Sequence, residues 1–349
     1  MESQNLEEKP DKTQEDMNKF QKRIEAYSAN IEEYEYADWQ EAAKAVIPID
    51  KLVERANKTL AEVSNDSKSL SYKDELLKQL LAWFKHEFYT WVNKPECYIC
   101  KSPTEKTGET PGDPTEAPFK CSRVELYKCT VCSETTRFPR YNNVKKLLET
   151  RKGRCGEWAQ CFTLCARTLG YDVRIVYDWT DHVWTEVYSE SQQKWLHCDS
   201  CENAMDTPLL YEAGWGKKLN YIIAFSLYEV FDVTQRYTKK YTEVQTRRNV
   251  VPEDWLAEVI AQAHSVKCSR LTPELQTKLH QRRKVDEEEF RVNRELDREE
   301  EARRIKEEEK IGRISGSEEW RAERGELGDI EKTKAAEEKQ EEIKKDLNK

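Results

Sequence analysis

The chain contains no run approaching the roughly 20 apolar residues that a membrane-spanning helix needs. Its opening residues, MESQNLEEKP, also lack the apolar stretch of a secretory signal. These absences lead to the expectation of a cytoplasmic or nuclear protein. Positive charge is in deficit as well: 58 Lys and Arg against 67 Asp and Glu give a formal net charge of −9. That balance removes the electrostatic case for a nucleic-acid partner. Histidine is scarce, with only five in 349 residues, so each can be weighed singly as a base. Cysteine is not scarce. Eleven of them in a reducing compartment point to metal sites, catalysis or burial rather than to a disulfide framework.

Charge is unevenly spread, dense in residues 1–35 and again beyond residue 280. The pattern divides the chain into a helical N-terminal extension (1–70), a helix and cysteine lobe (71–140), a core (141–240) and a helical C-terminal extension with a charged, partly disordered tail (241–349). The segment YKDELLKQLLAWFKHEFYTWV keeps a helical period through Trp91. Residues 101–118 are rich in Pro, Gly and Thr and read as a long exposed loop. After the strand-like RVELYKCTVC and the helix YNNVKKLLETRKG come a second helix from Cys155 and three alternating segments, YDVRIVYDWT, HVWTEVYS and QKWLHCDS. These read as antiparallel strands, with YIIAFS as a further one. Beyond residue 250, KVDEEEFRVNRELDREEEARRIKEEEK reads as a solvated charged helix. The expected class is α+β: a helix packed on an antiparallel sheet, with helical extensions at both ends.

Two CxxC pairs, Cys97/Cys100 and Cys129/Cys132, can each turn two thiolates toward one ion. Together they would complete a closed tetrahedral site, with structural zinc the expected occupant and no open position for chemistry. The alternative is four buried cysteines at chance spacing. A third CxxC, Cys198/Cys201, ends a strand with no partner pair, so neither a metal nor a redox role is expected there.

In GRCGEWAQCFTLC the helical period places Cys161 and Cys165 on the apolar face with Trp158 and Phe162. Cys155 instead opens the helix, where backbone N–H groups and the dipole favour a thiolate and an oxyanion. Arg154 adds positive charge nearby in sequence. His182 starts one strand and Asp199 ends the next, so a hairpin would bring carboxylate and imidazole together. His197 is the weaker candidate base. Cys155, His182 and Asp199 are therefore a nucleophile, base and orienter, against the plainer alternative of a structural histidine and a surface aspartate.

This order resembles the transglutaminase-like superfamily of papain-type thiol enzymes. A sharper resemblance is to the cytoplasmic peptide:N-glycanases, carried by WVNKPECYIC, the run from RFPRYNNVKKLLETRKGRCGEWAQ to HVWTEVYS, WLHCDSCENAMDTPLLYEAGWGKKLNYIIAFS, DVTQRY and GRISGSEEWRAERGELG. The resemblance implies a papain/transglutaminase-like core with a four-cysteine zinc lobe, a triad of Cys155, His182 and Asp199, and one structural Zn2+. It also implies glycan-facing roles for Trp91, Glu186 and Glu202. Trp184 and Trp195 flank the triad and either line the cleft or pack the sheet face. The implied activity is thiol-dependent removal of N-glycans from misfolded high-mannose glycoproteins in ER-associated degradation, converting glycosylated Asn to Asp. A proteasome-directed ubiquitin shuttle factor and the proteasome are the implied partners. Two rivals remain: a transglutaminase or protease on the same scaffold, which would incorporate amines or cut peptides, and a zinc-stabilised adaptor without chemistry.

Overall fold

The charged N-terminal segment folds as α1 (Gln14–Asn30), α2 (Ala37–Val46) and α3 (Ile49–Glu62), followed by α4 (Tyr72–Trp83). The structure, a computed structural model, describes residues 13–62, 70–295 and 305–347. The N-terminal residues MESQNLEEKP and the charged tail at 296–304 and 348–349 lie outside the described residues. Thr13 and Ser71 start α1 and α4 by accepting the N–H groups of Asp16 and Asp74. The helices then bury Phe20, Ile24, Trp39, Leu77, Leu80 and Leu81 in the main core.

The helix expected to run through Trp91 stops sooner. After Trp83 one π-turn spans Phe84–Phe88, and the chain leaves as the short strand β1 (Thr90–Trp91). The backbone N–H groups of Thr90 and Val92 donate to the carbonyls of Arg151 and Gly153, an offer the helical period cannot reveal. A second departure concerns residues 101–118, which are not all loop. Thr104–Thr110 form β2, the edge of a three-stranded sheet with β3 (Arg123–Cys129) and β4 (Thr135–Arg140). Only Thr104 of β2 is buried, so the strand is held by backbone pairing and leaves almost no apolar alternation to read.

Next come α5 (Val144–Thr150), β5 (Lys152–Gly153), parallel to β1, and α6 (Cys155–Thr168). Gly170, at φ +83°, provides the left-handed turn that ends α6. The central sheet has the order β11-β10-β6-β7-β8-β9 and every pairing in it is antiparallel. Its strands are β6 (Val173–Asp178), β7 (His182–Ser189), β8 (Lys194–Asp199), β9 (Ala204–Met205), β10 (Ile222–Phe225) and β11 (Val230–Asp232). One face carries Ile175, Tyr177, Val187, Leu196 and Cys198 against α6 and the N-terminal helices. The other carries Val176, Trp184 and Ile222 against Leu210, Tyr211, Trp215 and Tyr237.

The chain continues through α7 (Tyr241–Arg247), α8 (Glu253–Cys268) and α9 (Pro273–Glu295). The sequence reads the start of the charged run as solvated, yet α9 sends Asp286 and Phe290 inward, 1% and 4% exposed. Asp286 enters a buried ion network with Arg174 and Arg236, which also pair with Glu186. Opposite charges within a single patch conceal such a role, since a charge pattern alone does not say which acid finds a buried arginine. Residues 305–347, with α10 (Glu318–Glu323) and α11 (Ile330–Leu347), return to the end of the sheet that carries Asp181 and Glu202. Among the described residues no helix is long and apolar enough to cross a membrane.

Candidate active site

Cys155 is the first residue of α6, and the helix start is built by the residues around it. Glu157 reaches back to accept the Arg154 N–H at 3.0 Å, closing the first turn, and its carboxylate is gripped by Arg140. The Arg154 guanidinium does not face the thiol. It forks onto Glu125 of β3 at 2.9 and 2.8 Å and donates to the carbonyls of Val92 and Asn93, tying α6 to the cysteine lobe. Cys155 itself is half-buried, while Cys161 and Cys165 are buried beneath Trp158 and Phe162. A Cβ added at Gly156 would meet only open space. A cavity of about 340 Å³ opens there between lobe and helix, lined by Arg123, Arg140, Asn142, Gly156 and Gln160.

His182 begins β7 and Asp199 ends β8, and the antiparallel register of the two strands brings their side chains together. His182 Nε2 lies 2.7 Å from Asp199 Oδ2, and both residues are fully buried. A carboxylate can only accept, so Nε2 carries the proton and the lone pair of neutral His182 sits on Nδ1. Among the described residues Nδ1 has no hydrogen-bond partner, which leaves it free to take a proton. Asp199 is fixed in turn: Oδ1 accepts the Cys201 N–H at 2.9 Å and Oδ2 accepts the Tyr211 hydroxyl at 3.0 Å. Because Tyr211 donates to Asp199, His197 Nε2 must donate to Tyr211, at 2.7 Å. His197 is thus an outer support of the same carboxylate.

A chain of rings joins the two halves of the site. From Trp158 on α6 it passes to Trp91 at 6.4 Å, then across the Arg313 guanidinium to Trp215, whose ring lies 4.9 Å from His182. Burial pushes the Cys155 thiol up, opposed chiefly by the positive charge of Arg313. Burial also holds His182 well below the ordinary imidazole range, and Arg313 adds to that effect. The resting pair is therefore a thiol and a neutral imidazole. A neutral imidazole with its lone pair on Nδ1 is able to accept a proton from a thiol within its reach.

The remaining singled-out residues have defined places. Trp91 is half-buried beside Trp320, at 5.7 Å between ring centres. Glu202 accepts the backbone N–H groups of Ile314 and Ser315 at 2.7 and 3.1 Å, anchoring the C-terminal segment. Glu186 is fully buried between Arg174 and Arg236 and accepts the Tyr237 hydroxyl. Trp184 is fully buried and donates to Tyr237, and Trp195 lies beneath the Arg174 guanidinium at 3.9 Å. Tyr211, Trp215, Arg313 and Trp320 were not singled out by sequence reasoning. Arg313 and Trp320 belong to GRISGSEEWRAERGELG, more than a hundred residues from the triad, and no periodicity links the two.

In the lobe, Cys97, Cys100, Cys129 and Cys132 bring their sulfurs within 4.8 Å of one another, and they are the one such cluster among the described residues. Nearest pairs stand at 3.4 and 3.5 Å. A tetrahedral ion with bonds of ~2.3 Å to sulfur would set its ligands ~3.8 Å apart, so the cage fits a metal ion. The N–H groups of Val131 and Cys132 point at Cys129 Sγ, and Ser102, through its hydroxyl and backbone, lowers the Cys100 thiol to about 6. Cys198 and Cys201 are wholly buried and stand apart from the cage.

The model of the transglutaminase-like superfamily matches residues 104–200, and that of the Rad4 transglutaminase-like domain matches residues 179–301. A Yarrowia lipolytica peptide-N(4)-(N-acetyl-beta-glucosaminyl)asparagine amidase is 37% identical, over 84% of this chain and 81% of that protein. Proteins of the same name from Gallus gallus and Arabidopsis thaliana are 46% and 45% identical, over 86% and 90% of this chain but only 45% and 43% of their own lengths. The chain thus spans about half the length of most of the curated relatives it matches.

Proposed function

The chain belongs to the peptide-N(4)-(N-acetyl-beta-glucosaminyl)asparagine amidase family, and on that premise we propose that it is a thiol-dependent amidase converting glycosylated Asn to Asp. The observation that supports this reading most is the His182 ring, locked through Nε2 onto Asp199 with an unpartnered Nδ1, together with Cys155 at the N-terminus of α6. His182 Nδ1 takes the Cys155 proton as sulfur attacks the side-chain amide carbon. The S–C bond forms and the carbonyl π pair moves onto oxygen, toward the free N–H groups of the helix start. As the intermediate collapses the C–N bond breaks, and the imidazolium gives its proton to the departing glycosylamine. His182 then draws a proton from water as the water oxygen attacks the thioester carbon. The S–C bond breaks, the departing sulfur of Cys155 takes that proton back from the imidazolium, and Asp is released. The test is mass spectrometry of a denatured N-glycoprotein after treatment: glycosylated Asn converted to Asp supports the reading, and intact glycosylated Asn overturns it.

Zinc is the proposed occupant of the four-cysteine cage, where a closed sulfur shell supplies structure to the lobe. One zinc per chain is expected on elemental analysis, with loss of the ion and a lower melting temperature in Cys129→Ser/Cys132→Ser. Freshly purified protein without zinc contradicts this assignment. Misfolded high-mannose glycoproteins in the cytoplasm or nucleus are the proposed substrates, within ER-associated degradation. A ubiquitin shuttle factor and the proteasome are the proposed partners, on family resemblance.

A further inference from the structure

The segment GRISGSEEWRAERGELG is clamped to the catalytic end of the sheet at several points. Glu202 holds the N–H groups of Ile314 and Ser315, and Arg324 pairs at 3.2 Å with Asp181, the neighbour of His182. Arg313, within this segment, is only 1% exposed. Three indoles surround its guanidinium, Trp320 at 4.5 Å, Trp215 at 4.6 Å and Trp91 at 5.1 Å from the ring centres. Two of its nitrogens are satisfied inside the segment: Nε donates to Ser315 Oγ and Nη1 to Glu326, both at 2.9 Å. Nη2 is buried and has no hydrogen-bond partner among the described residues.

A buried charged donor without an acceptor is costly, and proteins keep one where something else completes it. The counter-charge here is also incomplete, because Glu326 is shared with Arg324 at 3.1 Å. Two of the indoles extend toward the two halves of the site: Trp215 packs on His182 at 4.9 Å, and Trp91 lies 6.4 Å from Trp158, one turn along α6 from Cys155. Arg313 is also the foremost charged group acting on both Cys155 and His182.

We propose that Arg313 is a further catalytic residue of the Cys155 site, the fixed cation whose free Nη2 donates to the atom on which negative charge appears. That atom is first the Cys155 sulfur, once its proton has passed to His182. It is then the amide oxygen of the substrate, as the S–C bond forms and the π pair shifts. The second half rests on the amidase reading above; the first needs only an ionising thiol. Indole walls hold the guanidinium in one orientation and exclude water, so the charge acts at low dielectric without reorganisation. The same charge opposes a proton resting on His182, which keeps the imidazole available as a base.

The test uses two readouts on wild type, Arg313→Gln and Arg313→Lys. The first is the pH profile of Cys155 alkylation by iodoacetamide, followed on the peptide that carries Cys155. Arg313→Gln should move its midpoint up by about one pH unit or more, and Arg313→Lys should keep it within about half a unit. The second is deglycosylation of a denatured glycopeptide. There kcat should fall about 100-fold in Arg313→Gln and about 10-fold in Arg313→Lys, with KM changed less than either. A wild-type alkylation profile or wild-type kcat in Arg313→Gln overturns the proposal. If Arg313→Gln does not fold, Arg313→Lys decides through kcat, where a wild-type value overturns it and a tenfold loss supports it. If the wild type alkylates but leaves glycosylated Asn intact, the amidase reading alone falls. The alkylation shift then judges Arg313.

Discussion

Asp199→Asn should lower kcat by about 10⁴ while leaving the chain folded. The amide oxygen of Asn can still accept the Cys201 N–H, which Asp199 Oδ1 accepts at 2.9 Å. The amide nitrogen, however, would face the two donors that Oδ2 now receives, His182 Nε2 and the Tyr211 hydroxyl. The imidazole relieves that clash by carrying its proton on Nδ1 and accepting through Nε2. The lone pair that should receive the Cys155 proton is then gone, although the ring has not moved. The stability cost is about 1–3 kcal/mol, that of weakening charge-assisted hydrogen bonds in a buried site. Steady-state kinetics beside a melting curve check both parts. A kcat within tenfold of wild type would mean that Asp199 does not set the tautomer.

Gly312→Ala should detach the C-terminal segment and lower kcat/KM about 100-fold, the scale of loss when a catalytic group is displaced by about 1 Å. A Cβ built on Gly312 falls 2.0 Å from the Leu327 carbonyl oxygen and 2.2 Å from its carbon. Both are backbone atoms, so no side chain can swing aside to make room. Gly214, on the other side of this contact, would place a Cβ 2.0 Å from the Ile311 oxygen, and its substitution should act alike. Since Arg313 and Glu202's two acceptor contacts lie immediately beyond Gly312, the loss should appear in turnover before it appears in global unfolding. Limited proteolysis would show faster cleavage within residues 305–347 at a nearly unchanged melting temperature. Wild-type activity together with wild-type resistance would show that the close approach is not required.

Local patterns made part of this arrangement legible in the sequence. The helical period separated Cys155 from Cys161 and Cys165, and Gly170 marked the end of α6. Alternation in three successive strands implied hairpins, and a hairpin is enough to place His182 against Asp199. The two CxxC knuckles announced the sulfur cage by spacing alone. What stayed hidden depends on contacts distant in sequence or on backbone pairing. Strand β2 has one buried side chain, so residues rich in Thr and Gly looked like loop. Arg154 stands beside Cys155 in sequence, but its charge is taken up by Glu125 of the lobe. The fixed charge near the thiol comes instead from Arg313, 158 positions further along the chain. Likewise Asp286, in a run dense with acids, is drawn inward by Arg174 and Arg236, and nothing in the run distinguishes it from its exposed neighbours.

That Cys155 is the nucleophile of an amidase is tested directly by one comparison. A denatured N-glycoprotein is incubated with wild type and with Cys155→Ala, and its glycosylation sites are read by peptide mass spectrometry. Asp is expected at the former glycosylated Asn sites with wild type, and intact glycosylated Asn with Cys155→Ala, a loss of at least about 10⁴ in rate. Glycan left in place by the wild type, or removed equally well by Cys155→Ala, would contradict it.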